Sequence, residues 1–419
     1  MGVSIWEGNK AGAAVAALER QNLLLTRLIT AEGEATPINT LQEIAEIVRR
    51  GEAPNVFTVG DQILVKWNNG TQDYILPFDI VHFDDVELQD GETVPGMFIQ
   101  SHYALEGVQF DQNEALYVVP AGGIPAGTYH FTMGNSWGTH VVSGKSYEFT
   151  LANAYAEGDI LQIGTATSDI SGLPDTAPAN WRIRGYKAAG GVPAGSAATP
   201  TEIVTLSEGT GGTDLGTLSD STKYGTSGLN NMQRCSYGYN RWSQSAIRQW
   251  MNSDAAAGSW FTPQNPYDRR PDQLATLRGM KAGFEEGFLN ILKSVKVTTA
   301  LNTVSDDQIG ASENTFDMFF LASLEQEYIQ PQASGVEGHY WEYWKRRLGL
   351  SNPQGTGGAN ANANHIRYAY NAKTSAQICR LRSANRGLAS YAWAVYPSGT
   401  ASYHSATCAN RAVPACVIC

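Results

Sequence analysis

The most constraining feature of this chain is segment 360–419, where short apolar anchors alternate with gaps rich in small, polar and aromatic residues. The gaps contain Asn, Ser, Tyr, Ala, His and Arg. Short apolar runs bounded by turn-forming residues are typical of buried strands. The pattern therefore predicts a rigid scaffold that displays exchangeable side chains. The anchors are IRYAY (366–370), RLRSAN (380–385), AWAVYPSG (392–399) and AVPACVIC (412–419).

Length and composition place the chain among folded, β-rich proteins. It has 419 residues, enough for about two or three domains of ordinary size. Its 42% apolar content against 16% charged content excludes a disordered chain, which would be far more charged. We predict an α+β protein with N-terminal helices, a β-sandwich-like middle domain and a C-terminal domain.

Charge and hydropathy argue against two classes of partner. The formal net charge is −11, whereas duplex binding relies on clustered Lys and Arg. No apolar run approaches the roughly 20 residues of a spanning helix. The opening MGVSIWEGNKAG lacks the basic segment, apolar core and cleavage site of a secretory signal. We therefore expect no nucleic acid partner, no membrane and synthesis in the cytoplasm.

Two helices are predicted in the N-terminal region, residues 1–53. The first covers 10–30, where apolar residues and Asn22 share one seam at heptad spacing. Packing within its own domain and an oligomeric coiled coil both fit so short a pattern. The second covers 40–50, because an apolar stripe ends in Arg49, Arg50 and Gly51, a basic last turn and a glycine stop. We assign this region to oligomerisation or attachment.

Period-two patterns dominate the middle of the chain. Short strands separated by Asn-Gly, Asp-Gly and Pro-Ala-Gly turns predict a sandwich-like domain over 54–195. The small-residue segment GGVPAGSAATP (190–200) is typical of a linker, so we place the boundary there and the last domain at 196–419. Six strand segments are predicted: 57–67, 73–83, 96–105, 115–121, 127–133 and 146–152.

Several phrases of the last domain resemble one known family. They are YGYNRWSQSAIRQWMNSD (237–254), GFEEGFLNILKSVKVTTALN (283–302), TFDMFFLASLEQEY (315–328), LRS (381–383), a Trp-x-Val strand (393–395) and VPACVI (413–418). In this order they resemble the target proteins of diversity-generating retroelements, which have a C-type lectin fold of the formylglycine-generating-enzyme type. The segment around 55–103 is similar to the N-terminal part of phage and prophage proteins that carry such a domain.

The resemblance implies a function in ligand binding. In that family adenines of a template repeat are miscopied, so codons of the Asn type become Tyr, Ser, Cys, Ala, His, Arg or Leu. The implied protein is a phage tail-fibre tip or adhesin, located in the virion. Its partners are a bacterial cell-surface protein or glycan and, through the N-terminal region, a virion component, and homotrimers are expected.

The variable region is predicted at about 360–419. Exchange is tolerated only where side chains are exposed to solvent, so the predicted ligand-binding positions should lie on the surface, whereas Leu381, Arg382, Trp393, Val395, Pro414 and Val417 should form scaffold. The predicted variable set is Asn371, Arg380, Asn385, Arg386, Leu388, Ser390, Tyr391, Ala392, Tyr396, Ser402, Tyr403, His404, Ser405 and Asn410.

Enzymatic chemistry is not predicted. Cys379 and Cys408 fall in the variable gaps, and the CxxC of Cys416 and Cys419 lacks a second cysteine or histidine pair. Carboxylates occur at 254, 285, 286, 317 and 325, but no spacing selects two of them as a glycosidase pair. We predict no catalytic residue, metal or cofactor.

Three further features of the sequence allow more than one interpretation. Asp79, His82, Asp84, Asp85 and His102 alternate along predicted strands, a pattern that suits metal ligands but more often reflects turns and strand edges. Four tryptophans, Trp242, Trp250, Trp341 and Trp344, suit a sugar-stacking platform, but core packing is favoured for Trp250 and Trp344. The alternative function is an invariant lectin-like structural or decoration protein of a phage particle, which shares the predicted fold.

Overall fold

The structure is a computed structural model that describes residues 40–135, 142–165, 180–188, 194–195, 198–219, 228–305 and 310–419. It is a mixed α+β protein in which strands predominate. The predicted helix at 10–30 and most of the predicted linker lie outside the described residues.

The described helices are short. They are α1 (Leu41–Arg49), α2 (Ala53–Val56), α3 (Met232–Tyr237), α4 (Ala246–Asn252), α5 (Glu286–Leu289) and α6 (Glu342–Leu348). The described strands are β1 (Gln62–Asn68), β2 (Asp73–Glu87), β3 (Thr93–Ser101), β4 (Gly107–Gln109), β5 (Tyr117–Val118), β6 (Gly127–Met133), β7 (Ser146–Leu151), β8 (Ile160–Thr165), β9 (Trp181–Tyr186), β10 (Glu202–Thr205), β11 (Ser207–Glu208), β12 (Thr213–Leu218), β13 (Val295–Ala300), β14 (Ser312–Asp317), β15 (Phe320–Leu321), β16 (Tyr368–Ala369), β17 (Ala372–Ala376), β18 (Cys379–Ala384), β19 (Tyr391–Val395), β20 (Ala401–Ser405), β21 (Ala409–Arg411) and β22 (Pro414–Ile418).

Helix α1 confirms the helix predicted at 40–50. Thr40 and Glu43 form a capping box, in which each side chain accepts a hydrogen bond from the other's backbone N–H. Gly51 ends the helix with a φ of +73°, a left-handed conformation that favours glycine. Pro54 does not end the helical N-terminal region. It lies in the first turn of α2, where its missing N–H costs nothing.

The first five-stranded sheet joins the two ends of the described chain. Its strand order is β1-β2-β3-β22-β15. Strand β22 pairs antiparallel with β3, which places Cys416 opposite Ile99 and Val417 opposite Phe98. Strand β22 is buried along its whole length, as expected of a central strand covered on both faces.

A second five-stranded sheet carries the C-terminal segment. Its strand order is β20-β19-β18-β21-β4, so β20 is an edge strand. Strand β4 comes from the first third of the chain and pairs antiparallel with β21. Both sheets therefore need strands from residues before 110 and from residues after 320.

The predicted boundary at 190–200 does not separate these strands, and this corrects the division into 54–195 and 196–419. Strands β1 to β4 lie within the predicted middle domain, yet they complete sheets with β22 and β21. Side chains from both segments share one hydrophobic core. Period-two patterns identify strands but contain no information about which strand pairs with which, so this pairing was not predictable locally.

A separate core forms between these two segments. Two four-stranded sheets, β10-β9-β8-β5 and β11-β7-β6-β12, enclose one apolar cluster that extends from Leu116 to Cys235. Strand β12 follows the predicted linker but pairs parallel with β6, so it belongs to this unit. The chain thus leaves the main core after β4, builds this inserted unit over about 115–235, and returns through α3.

The inserted unit joins the main core through a buried network of charges. The Arg234 guanidinium of α3 binds the Glu114 carboxylate in a bidentate pair, with distances of 2.5 Å from Nε to Oε2 and 2.7 Å from Nη2 to Oε1. Asp111, Glu114 and Asp268 each place a carboxylate oxygen within 4.8 Å of the other two. Burial and the nearby Glu114 carboxylate raise the pKa of Asp268 to about 7. The folded state therefore holds a proton at this junction that the unfolded chain releases near pH 4.

This proton predicts a loss of stability as pH rises. Because the folded state binds the proton more tightly than the unfolded state, the free energy of unfolding should fall between about pH 4 and pH 7. Asp268→Asn cannot titrate, so we expect the variant to gain at least about 1 kcal/mol relative to wild type between pH 5 and pH 8. Urea denaturation at the two pH values measures this difference. Asp254→Asn, which changes an exposed carboxylate, is the control, and parallel pH curves for Asp268→Asn and wild type would contradict the prediction.

Candidate ligand-binding face

Strands β19 and β20 bring a group of aromatic rings to the surface. Trp393 lies directly opposite Tyr403 in the antiparallel register, and their ring centroids are 5.7 Å apart in an edge-to-face contact. Tyr391 lies 5.5 Å from Tyr403 and 5.3 Å from Tyr237, the last residue of α3. We call Tyr237, Tyr391, Trp393 and Tyr403 the aromatic face. Its most exposed ring is Tyr403, at 43%.

The indole of Trp393 is the buried floor of the aromatic face. Only 4% of Trp393 is exposed, and its Nε1 donates a hydrogen bond of 3.2 Å to Oε1 of Gln332. The backbone N–H of Arg386 donates to the same oxygen at 2.9 Å. The loop that contains Gln332 is thereby tied to the hairpin, so the face is supported on strands rather than on a mobile segment.

The Tyr391 phenol of this face remains neutral at physiological pH. Burial, together with neighbouring Tyr237, raises the pKa of Tyr391 well above its ordinary value. On β20, next to Tyr403, burial and the Arg380 guanidinium lower the pKa of the His404 imidazole. At neutral pH Tyr391 and His404 therefore contribute neutral rings to this region.

Three backbone carbonyls of the edge strand β20 already accept hydrogen bonds from outside the β19–β20 pairing. The carbonyl of Ala401 accepts from the Gly357 N–H at 2.9 Å, and that of His404 accepts from Arg380 Nη1 at 2.9 Å. The carbonyl of Tyr403 accepts from the Tyr396 hydroxyl at 3.3 Å. Strand addition by a partner requires open backbone groups. These occupied carbonyls disfavour strand addition at this edge and favour recognition by side chains.

The structure distributes the predicted variable residues over three environments. Asn371 and Tyr403 are exposed. Partial burial is found for Arg386, Leu388, Tyr391, Tyr396, Ser402 and His404. Full burial is found for Arg380, Asn385, Ser390, Ala392, Ser405 and Asn410. The expectation that all of these positions are displayed to solvent is wrong for the last six.

Arg380 shows why a polar residue of this segment is buried. Its Nη1 donates to the carbonyls of Ala392 and His404 at 3.0 and 2.9 Å, and its Nη2 donates to those of Ser405 and Cys408 at 2.8 and 3.2 Å. The guanidinium thereby fixes the β19–β20 hairpin and the loop after it. Five donors in a rigid fork suit this task. Composition alone does not distinguish a buried arginine that binds several carbonyls from an arginine exposed to solvent.

The partly exposed positions also divide between the two sides of the sheet. Successive side chains of a strand point to opposite faces, so Tyr403 and His404 of β20 lie on different sides. His404 contacts Tyr396, with ring centroids 5.8 Å apart, and lies within hydrogen-bonding distance of the Asn410 amide. The predicted set therefore does not form one continuous surface.

The residues predicted as scaffold lie in the interior. Leu381, Arg382, Trp393, Val395, Pro414 and Val417 are all buried. Within the LRS phrase, Ser383 donates to the Glu337 carboxylate at 2.5 Å and accepts from the Leu324 N–H at 2.9 Å. These contacts link β18 to the loops around 320–337.

Sequence reasoning missed two residues of the site because they lie outside 360–419. Tyr237 is in the YGYNRW phrase, and Gln332 lies in a loop with no distinctive pattern. They are 154 and 59 positions before Tyr391 (391−237 and 391−332). No local signal indicates that either residue reaches the hairpin.

The residues considered as metal ligands separate into two groups. Asp79 is buried, accepts a hydrogen bond from the Tyr343 hydroxyl at 2.9 Å and lies 2.9 Å from Nδ1 of His102. Asp84 instead lies near the surface, 2.9 Å from Nδ1 of His339. Four of these residues lie on β2 and His102 follows β3, but Asp79 and Asp84 have different partners and do not surround one point.

The four tryptophans considered for sugar stacking belong to the core. Trp242, Trp250, Trp341 and Trp344 are at most 1% exposed, which confirms core packing for Trp250 and Trp344. Trp344 packs against His365, with ring centroids 4.5 Å apart. They therefore offer no stacking surface.

Among the described residues, no helix combines the length and apolar character needed to span a membrane.

Comparison with known proteins gives one similarity. No curated protein and no solved structure matches the chain. A family model matches residues 218–419, from the end of β12 to the last residue, and this part contains the whole aromatic face. Strands β1 to β4, which complete both five-stranded sheets, precede it. Over residues 218–419 the chain is similar to a family described as a domain of unknown function (DUF6273).

Proposed function

We propose that this protein is a receptor-binding protein, a phage tail-fibre tip or adhesin, whose recognition surface is the aromatic face. The observation that carries the proposal is the exposed ring of Tyr403, held by edge contacts to Trp393 and Tyr391 on two paired strands. In this proposal the C-terminal part is a C-type lectin-type scaffold, and residues 1–53 attach a homotrimer to a virion.

The physical support for this proposal comes from rigid aromatic side chains. Binding free energy concentrates in a few Tyr, Trp and Arg side chains, because large rings bury much area and lose little rotamer entropy. Tyr391 and Tyr403 are already oriented by their neighbours, so little ordering cost remains on binding.

Diversification by a retroelement is the second part of the proposal. The eight exposed or partly buried positions of the predicted set can change without opening the core. Arg380 and Ala392, which hold or fill the interior, cannot. Sequencing the 3′ end of the gene across a population, with the flanking DNA, tests this: substitutions should fall in codons that match adenines of a nearby repeat.

One observation favours the alternative of an invariant structural or decoration protein of a phage particle. Six of the fourteen predicted variable positions are buried, so much of the C-terminal segment is fixed by packing. An invariant 3′ end without a repeat or reverse transcriptase would support this alternative and exclude diversification.

Tyr403→Ala should reduce binding to bacterial cells at least tenfold, about 1.4 kcal/mol, the loss typical of an aromatic anchor. Fluorescently labelled full-length protein, titrated against a panel of Gram-negative and Gram-positive cells by flow cytometry, measures the affinity. Tyr368→Ala, which removes another exposed tyrosine from β16, is the matched control and should bind as wild type. Equal binding by both variants would contradict the proposed surface.

A further inference from the structure

The amide orientation of Gln332 is fixed by two groups that only donate hydrogen bonds. The Trp393 indole N–H and the Arg386 backbone N–H approach the same side-chain atom, at 3.2 and 2.9 Å. Neither can accept a hydrogen bond, so that atom must be the carbonyl oxygen Oε1. The Nε2 group, on the other branch of the amide, is therefore directed away from both donors. Because Gln332 is exposed, it presents an oriented N–H donor pair to solvent.

Gln332 and Tyr403 are neighbours across one indole ring. Gln332 binds the nitrogen of Trp393, and the Tyr403 ring packs against the same indole at 5.7 Å. The accessible side chains beside this floor thus include the exposed Tyr403 ring and the Gln332 amide donor of known direction. Both are supported on buried structure, so the spacing between them is preorganised.

We propose that the ligand of the aromatic face is a saccharide, which stacks a C–H face on Tyr403 and accepts a hydrogen bond from Gln332 Nε2. This inference rests on the proposed function and specifies its ligand class. Sugars present both features at once, because apolar C–H faces alternate with hydroxyl oxygens around one ring, and amphipathic aromatic rings suit such surfaces. The occupied carbonyls of β20 disfavour a peptide that would bind by strand addition.

Gln332→Glu tests the donor without removing the floor. The carboxylate keeps an oxygen for Trp393 Nε1 and the Arg386 N–H, but it replaces the outward donor with an anionic acceptor. We expect at least a tenfold loss of affinity for bacterial cells that bind the wild type. Gln72→Glu makes the same charge change at an exposed turn between β1 and β2 and should bind as wild type. Equal thermal unfolding midpoints establish that both variants are folded.

Treatment of the cells identifies the ligand class. Periodate, which cleaves vicinal diols of sugars, should abolish binding, whereas proteinase K should leave it intact. Binding that survives periodate and is lost after protease, with Tyr403→Ala still impaired, would overturn the saccharide inference while the proposed function stands. Wild-type affinity of Gln332→Glu would also overturn it. Failure of the wild-type protein to bind any cell of the panel would overturn the proposed function itself, and the saccharide inference with it.

Discussion

Replacing Arg382 with alanine is expected to destabilise the protein by about 3–5 kcal/mol, because several buried acceptors lose their donor at once. The guanidinium is 1% exposed, and burial lowers its pKa to about 10, so it is charged at neutral pH. It donates to the carbonyls of Leu321, Thr298 and Glu337 and to the Gln326 amide oxygen. The variant leaves these acceptors buried without a donor, and each such group costs about 1–3 kcal/mol.

The measurement is chemical denaturation at neutral pH, with Arg386→Ala as control. Arg386 lies four residues on and is half-buried, and its contacts to the described residues go through its backbone N–H and carbonyl. We expect that variant to change stability by less than about 0.5 kcal/mol. Arg382→Lys should remain destabilised, because one ammonium cannot reach acceptors in several directions. Equal stability of Arg382→Ala and wild type would show that the Arg382 hydrogen bonds contribute nothing to stability.

Arg234→Met is expected to destabilise the junction between the inserted unit and the main core by a similar amount, about 3–5 kcal/mol. Arg234 is the bidentate partner of Glu114, which is fully buried, and its guanidinium lies 3.7 Å from the Tyr239 ring centroid. Without it, the carboxylates of Asp111, Glu114 and Asp268 lose a shared counter-charge. The variant must either take up a further proton or open the junction.

A double variant separates the charge effect from the loss of packing. Glu114→Gln combined with Arg234→Met removes both members of the pair, so it should be more stable than Arg234→Met alone. Stability is measured by denaturation with a probe in each unit, since loss of the junction would produce two transitions rather than one. A double variant that is less stable than the single variant would contradict the electrostatic explanation.

Local rules predicted the elements whose causes are local. Thr40, Glu43 and Gly51 define the bounds of α1 by capping chemistry that lies within the helix and its flanks. Ser245 likewise caps α4, accepting from the Arg248 N–H at 3.3 Å. Period two placed β6 at its observed bounds, 127–133. These assignments need no knowledge of distant residues.

The candidate site was only partly predictable, because burial depends on distant packing. Tyr391 and Tyr403 were expected on the surface and contribute to the aromatic face. Arg380 was expected there as well, yet the structure turns it inward to bind four carbonyls. The sequence of a polar gap does not indicate whether a polar residue in it will be exposed to solvent or buried against backbone carbonyls. Tyr237 and Gln332 joined the site through contacts that no spacing encodes.

The sequence by itself determined the secondary-structure content, the caps and turns, and the division of segment 360–419 into anchors and gaps, because these depend on side-chain chemistry and short-range periodicity. Only the tertiary structure decided that β22 pairs with β3, that residues 115–235 form an inserted unit, and which gap residues face solvent. Strand pairing and burial are properties of contacts between distant segments. Such contacts are selected by the free energy of the whole core, to which each residue contributes too little to be identified alone.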